Sequence, residues 1–191
     1  MMDIVIIVDT SSAMTFSQCK RQQEHVSEAM VMLKPVNNNK NVPNVRLAVL
    51  EMGEEDIYLR VDLNQLPYNR DTGNDGHREI IELFDLISQS GGCDLEKESE
   101  MLAREGNPNL YDALECAMNQ FDFVNDTERK KYIIIFESER SHSTQSICNY
   151  YRNNDEFDHV EDIIMYNQNP KMQNYLRCLV DNDTSKILTN P

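Results

Sequence analysis

The sequence predicts an α/β fold: a doubly wound, mostly parallel central sheet with one antiparallel edge strand and helices on both faces. Three observations carry that prediction. Two runs of consecutive apolar residues, Ile4 to Val8 and Tyr132 to Phe136, have the composition of strands covered on both sides. Between and after them, apolar residues recur at helical spacing, most clearly at Leu110, Ala113, Leu114, Ala117, Met118 and Phe121. Finally, Val45 to Met52 and Asp56 to Leu63 flank Gly53-Glu54-Glu55 and read as a hairpin.

The elements follow in chain order. The first strand, Asp3 to Asp9, is bounded by carboxylates. A crossover helix is predicted from Phe16 to Leu33, with Val26, Met30 and Leu33 on one stripe and Pro35 marking its end. In the second hairpin run, Ile57, Leu59, Val61 and Leu63 share one face and Tyr58, Arg60 and Asp62 the other, the alternation of an edge strand with one wet face. Polar residues from Gln65 to Gly76 form a long loop. Helical spacing returns at Ile80, Leu83, Phe84 and Ile87, stops at Gly91-Gly92, and is weaker from Asp94 to Arg104. The helix that opens at Leu110 has Asn109 as its N-cap, and Asp112 completes a capping box with a shorter acid than the usual Glu. The strand around Ile133 to Ile135 follows the basic triplet Arg129-Lys130-Lys131. A helix from Thr144 to Arg152, a strand from Val160 to Tyr166, a helix introduced by Asn169-Pro170 and a last short strand from Ser185 to Thr189 complete the pattern.

Composition excludes several function classes. The 191 residues are expected to form one domain, 1–191, which is also expected to be able to stand as part of a longer protein. With 33 acidic against 18 basic residues the formal charge is -15, which repels phosphate backbones and anionic lipid, so neither nucleic acid nor membrane is an expected partner. No apolar run is long enough to span a bilayer, and Met1-Met2-Asp3 lacks a signal-peptide flank, so a cytoplasmic location is expected. The five cysteines, Cys19, Cys93, Cys116, Cys148 and Cys178, are irregularly spaced and read as reduced, small apolar side chains. The loop after the first strand has no glycine, which removes the phosphate cradles of nucleotide sites. His25, His77, His142 and His159 show no metal spacing and are expected on surfaces or helix faces. The acidic runs Glu54 to Asp56 and Asp155 to Asp158 read as solvated loops, and Met30, Met32, Met118 and Met172 as core filler.

In a doubly wound sheet, ligands bind outside the carboxyl ends of the strands near the reversal of strand order. That directs attention to Asp9-Thr10-Ser11 and to Glu137-Ser138-Glu139. A carboxylate at a strand tip followed two residues later by a hydroxyl offers hard oxygen donors of the kind that suit Mg²⁺ or Ca²⁺, or else caps the following helix and solvates the strand end.

The same residues carry a family resemblance. Ile4 to Met14 is similar to the opening of a von Willebrand factor type A (vWA) domain, with its Asp-x-Ser-x-Ser motif. Gly106-Asn107-Pro108-Asn109-Leu110-Tyr111-Asp112-Ala113-Leu114 resembles the Gly-Gly-Thr-x-Leu-Tyr-Asp-Ala-Leu segment of that family, and Lys131 to Ser138 resembles the strand ending in its Thr-Asp-Gly turn. The hairpin falls where the family places its antiparallel edge strand, so the resemblance runs through nearly the whole chain. It implies a metal-ion-dependent adhesion site built from three loops, of which Asp9 and Ser11 match the first two ligands. Ala13 stands at the third, Pro108 at the threonine and Ser138, between Glu137 and Glu139, at the last aspartate. Because Mg²⁺ dehydrates reluctantly, loss of those oxygens predicts weak binding or none, with Asp9, Ser11 and Glu137 or Glu139 as the residues of any remaining metal site.

The expectation is therefore a non-catalytic, monomeric interaction module with no required cofactor. Its partner is another protein, docking on Asp9, Ser11, Ser12, Asn107, Asn109, Glu137, Ser138 and Glu139. The alternative is a Mg²⁺-dependent nuclease of PIN type, since Val8-Asp9-Thr10-Ser11 also resembles the start of that fold, with strand-end carboxylates holding the metal. The acidic charge and the hairpin argue against it. A serine hydrolase ranks last, for want of a Gly-x-Ser-x-Gly elbow. Domains of that family usually close with a helix after the last strand, whereas this sequence stops at Asn190-Pro191, so the expectation is either that the helix is absent or that the chain is a fragment of a longer protein.

Overall fold

The structure, a computed structural model, describes residues 1–9, 17, 20–22, 24–25, 45–53, 57–61, 63, 109–124, 126–137, 144–167 and 177–188. Six strands are present among them: β1 (Met2–Asp9), β2 (Val45–Met52), β3 (Ile57–Val61), β4 (Lys130–Glu137), β5 (Val160–Asn167) and β6 (Ile187–Leu188). They form one sheet in the order β3-β2-β1-β4-β5-β6. The β2–β1, β1–β4, β4–β5 and β5–β6 pairings are parallel, while β3 lies antiparallel to β2 at one edge. Two helices are described, α1 (Leu110–Val124) and α2 (Thr144–Asn153), and residues 20–22 and 24–25 are helical as predicted.

The alternation of side chains across β1 explains its unbroken apolar run. Val5 and Ile7 enter one core with α1, α2 and the C-terminal turns, whereas Ile4, Ile6 and Val8 enter a second core with Leu47, Val49 and Phe136. The buried face of α1 consists of the six residues whose spacing predicted it, Leu110, Ala113, Leu114, Ala117, Met118 and Phe121. The predicted stretches Gln65 to Gly76, Ile80 to Ile87 and Asp94 to Arg104 lie outside the described residues, as do most of the first crossover helix and the helix start at Asn169-Pro170.

Three expectations change. Leu59 was assigned to the buried face of the hairpin, yet it is 45% exposed. It lies on the edge strand β3, beyond the main footprint of α1 on β1 and β2, and a register shift opposite Val49 and Leu50 interrupts the period of two. The closing strand shrinks to Ile187–Leu188, because Thr184–Lys186 forms a tight 3₁₀ turn around the Asp183 cap. The third correction concerns the cysteines. Cys148 on α2 and Cys178 in the 3₁₀ turn Arg177–Val180 form a disulfide with a Cα–Cα separation of 5.7 Å. Residues 30 positions apart meet because α2 and that turn flank β5 on the same side of the sheet. Spacing along the chain carries no trace of such a meeting. Cys116, half-buried on α1, is a free thiol, and burial and then Glu115 and Asp112 push its pKa up.

A second link joins the same two elements. The Tyr151 hydroxyl donates to Asp181 Oδ1 at 3.3 Å. Burial, then the Asp181 charge and this bond, push the Tyr151 pKa up to about 12. An acid whose folded pKa exceeds its unfolded value contributes stability that is complete below the unfolded pKa of about 10 and is lost as pH rises toward 12. Alkaline absorbance titration, read as the difference from Tyr151→Phe, should show one late-ionising phenol. Asp181→Asn should bring its transition to lower pH without restoring the ordinary value, because the burial remains.

Candidate functional site

The reversal of strand order falls between β1 and β4, since the chain leaves β1 toward β2 on one side and later enters β4 on the other. Asp9 and Glu137 are the last residues of those two strands. The Val8–Phe136 register pair directly precedes them, so they end neighbouring strands. Both continue the alternation of Val5, Ile7, Ile133 and Ile135, which assigns them to the α1 side of the sheet, and both are buried. Two carboxylates from segments far apart in sequence thus share one rim.

On the other side of Asp9 the register runs to Met52, and the chain turns through buried Gly53. Gly53 O accepts from Asn109 N at 2.7 Å, which fixes the start of α1 against the end of β2. The order across the rim is Gly53 with Asn109, then Asp9, then Glu137. Buried Gln22 ties the helical residues after β1 back to the same point, its Nε2 donating to Asp9 O.

Asn109 caps α1 as its sequence implied. Its Oδ1 accepts from Asp112 N at 3.3 Å and its Nδ2 donates to Asp112 Oδ2 at 2.7 Å. The usual box returns an acid to the cap's backbone N–H; here that N–H is engaged by Gly53, and the short Asp112 meets the cap side chain instead. Asn109→Ala should therefore cost about 1 kcal/mol of stability, while Asn109→Ser retains most of it, as urea midpoints would report.

Of the residues singled out from sequence, the structure brings Asp9, Glu137 and Asn109 to one end of the sheet. Ser11, Ser12, Asn107, Ser138 and Glu139 lie outside the described residues, as do Ala13 and Pro108. Sequence reasoning missed Glu51, a buried acid at the same end of β2 that pairs in register with Val8 and belongs by alternation to the opposite face. The available signal was a lone charge inside the apolar run Val45 to Met52. His25 is a helix-face residue whose Nε2 lies 3.2 Å from the Tyr166 hydroxyl, and His159 is exposed. His77 and His142 fall outside the described residues.

A divalent cation at this rim would meet the carboxylates of Asp9 and Glu137. The Asn109 carboxamide is committed to Asp112 at both ends. Among the described residues, no group of three His, Cys, Asp or Glu is gathered as a metal site. Since Mg²⁺ demands near-octahedral oxygen coordination, the described donors by themselves do not compose such a site.

No family model and no curated protein matches the chain. Solved structures do. Proximal thread matrix protein 1 from the mussel byssus superposes with a TM-score of 0.69 at 14% identity, over 99% of this chain and 43% of that one. The form of that protein with a zinc-occupied MIDAS motif gives 0.67. The VWA domain of SpRpn10 gives 0.61 at 13% identity, covering 100% of this chain and 88% of that one. Manganese-loaded TRAP protein of Plasmodium vivax gives 0.70 at 10% identity, covering 99% and 68%. The chain thus spans less than half the length of the mussel protein. Likeness at such identities establishes architecture, and with the strand order and rim described above it identifies this chain as having the vWA fold.

Proposed function

We propose that the chain is a non-catalytic protein-interaction module of vWA type. A partner protein docks on the rim at the carboxyl ends of the strands, over Asp9, Ser11, Ser12, Asn107, Asn109, Glu137, Ser138 and Glu139. The observation that carries the reading is the convergence of buried Asp9 and Glu137 with the capped start of α1 at the reversal of strand order. Two similar structures hold a metal, zinc in the MIDAS motif of the mussel protein and manganese in the Plasmodium protein. In this chain Ala13 and Pro108 remove two of the corresponding side-chain oxygens, so recognition rests on hydrogen bonding and shape. The module acts as a monomer and performs no reaction.

Among the described residues no helix is long and apolar enough to cross a membrane.

Thermal unfolding with Mg²⁺ or Mn²⁺ against EDTA tests the metal-independent part. With a dissociation constant at or above the millimolar ion concentration, stabilisation is at most about 0.4 kcal/mol, roughly 1–2 °C for a domain of this size. A rise of several degrees would restore a working metal site and sink this reading. Capture of a partner should fall with Asp9→Asn and Glu137→Gln in variants whose melting temperatures show them folded. Undiminished capture by both would move the docking surface elsewhere.

A further inference from the structure

We propose that the C-terminal segment Arg177–Leu188 is a redox-released strap, held on the edge of the sheet by Cys148–Cys178 and detached when a dithiol reductant opens that bond. Among the described residues β6 pairs with β5 at two positions, Met165–Ile187 and Tyr166–Leu188, whereas β1 pairs with β4 at seven. Among the same residues the segment's further links include the Lys186–Asp162 ion pair at 2.7 Å, the Tyr151–Asp181 hydrogen bond, and burial of Cys178, Leu179, Val180 and Ile187. Asp181 and Asn182 both occupy the left-handed region, with φ of 51° and 64°, which Asp and Asn tolerate better than other non-glycine residues.

The covalent link suppresses opening through chain entropy. Tethered to α2, a detached segment stays beside its own site. The cysteines are 30 residues apart, but α2 and β5 between them stay folded on opening, so the loop concerned is shorter; closure of a loop of about ten residues corresponds to roughly a hundredfold in the opening equilibrium. Cys148 is the more exposed member of the pair and so the point of entry. A thiolate of the dithiol attacks one sulfur, the Sγ–Sγ bond breaks, and the mixed disulfide is resolved by the second thiol. Two electrons and two protons pass to the protein, leaving two thiols, and the reductant closes into its own disulfide. The released strap bares the outer ladder groups of Met165 and Tyr166, making β5 the sheet edge.

Hydrogen exchange on the full chain, with and without dithiothreitol, tests the proposal. Reduction should accelerate exchange at Leu179, Val180, Asn182, Asp183 and Ile187 by about a hundredfold, and leave Ile4 to Val8 protected. Cys148→Ala should show the fast rates without reductant, and adding reductant should then change the strap no further. Equal acceleration in β1, unchanged rates in the strap, or a Cys148→Ala chain that never folds would each overturn the idea. Any of the three would make the bond a general staple or an idle one.

Discussion

Asp3→Asn is expected to cost about 3–5 kcal/mol, read as a lowered urea midpoint at unchanged slope. Asp3 is fully buried at the start of β1, and its Oδ1 accepts from Arg129 Nε at 2.6 Å and from Arg46 Nε at 2.7 Å. Its second oxygen accepts from the Arg46 guanidinium, which also reaches Asp126 at 3.3 Å, and Arg129 bonds to Met2 O at 2.8 Å. The asparagine keeps the shape but loses the charge, so buried Arg129 is left facing an amide that can accept at one atom only. Breaking one member of a buried ion cluster is costly because the desolvated partner stays behind. Arg129→Met in the Asp3→Asn background should therefore add much less than Arg129→Met alone costs in the native chain. Additive losses would show that the two side chains are not energetically coupled.

Phe121→Ala should be comparable in size, about 3–5 kcal/mol, through the lost transfer energy of the ring and the cavity left behind. The ring is fully buried under the last turns of α1, with Lys131 Nζ 5.6 Å from its centroid. Two residues on, Phe123 is 69% exposed, and Phe123→Ala is expected to stay within about 0.5 kcal/mol of the native chain. This contrast isolates packing from helix propensity, because both changes introduce the same alanine into the same helix. Loss of the Phe121 ring loosens the end of α1 distant from Asn109. If the rim is positioned by the Asn109–Gly53 bond, partner capture should survive in the fraction that remains folded.

The two variants also separate what was legible in the sequence from what was not. The burial of Phe121 follows from its spacing to Leu114, Ala117 and Met118, a relation within two helical turns. The same locality made the Asn109–Asp112 cap readable three residues apart, and the unbroken run of β1 announced that both its faces are covered. At the site, the tips of two central strands could be marked as Asp9 and Glu137, because a doubly wound sheet concentrates ligands there. Their assignment to adjacent strands needed the sheet order. Glu51 passed unnoticed since nothing local distinguishes a buried acid from a solvated one.

Among the described residues, the sequence by itself determined the central strands, the apolar face of α1 and its cap, because each is set by periodicity and by hydrogen bonds spanning a few residues. Only the tertiary structure decided that Asp3 meets Arg129 across 126 residues, that Cys148 joins Cys178, and that Leu59 faces water. Those outcomes depend on which strands become neighbours and which helix covers them. Both are fixed by burial of the whole chain at once, so no short stretch of residues records them.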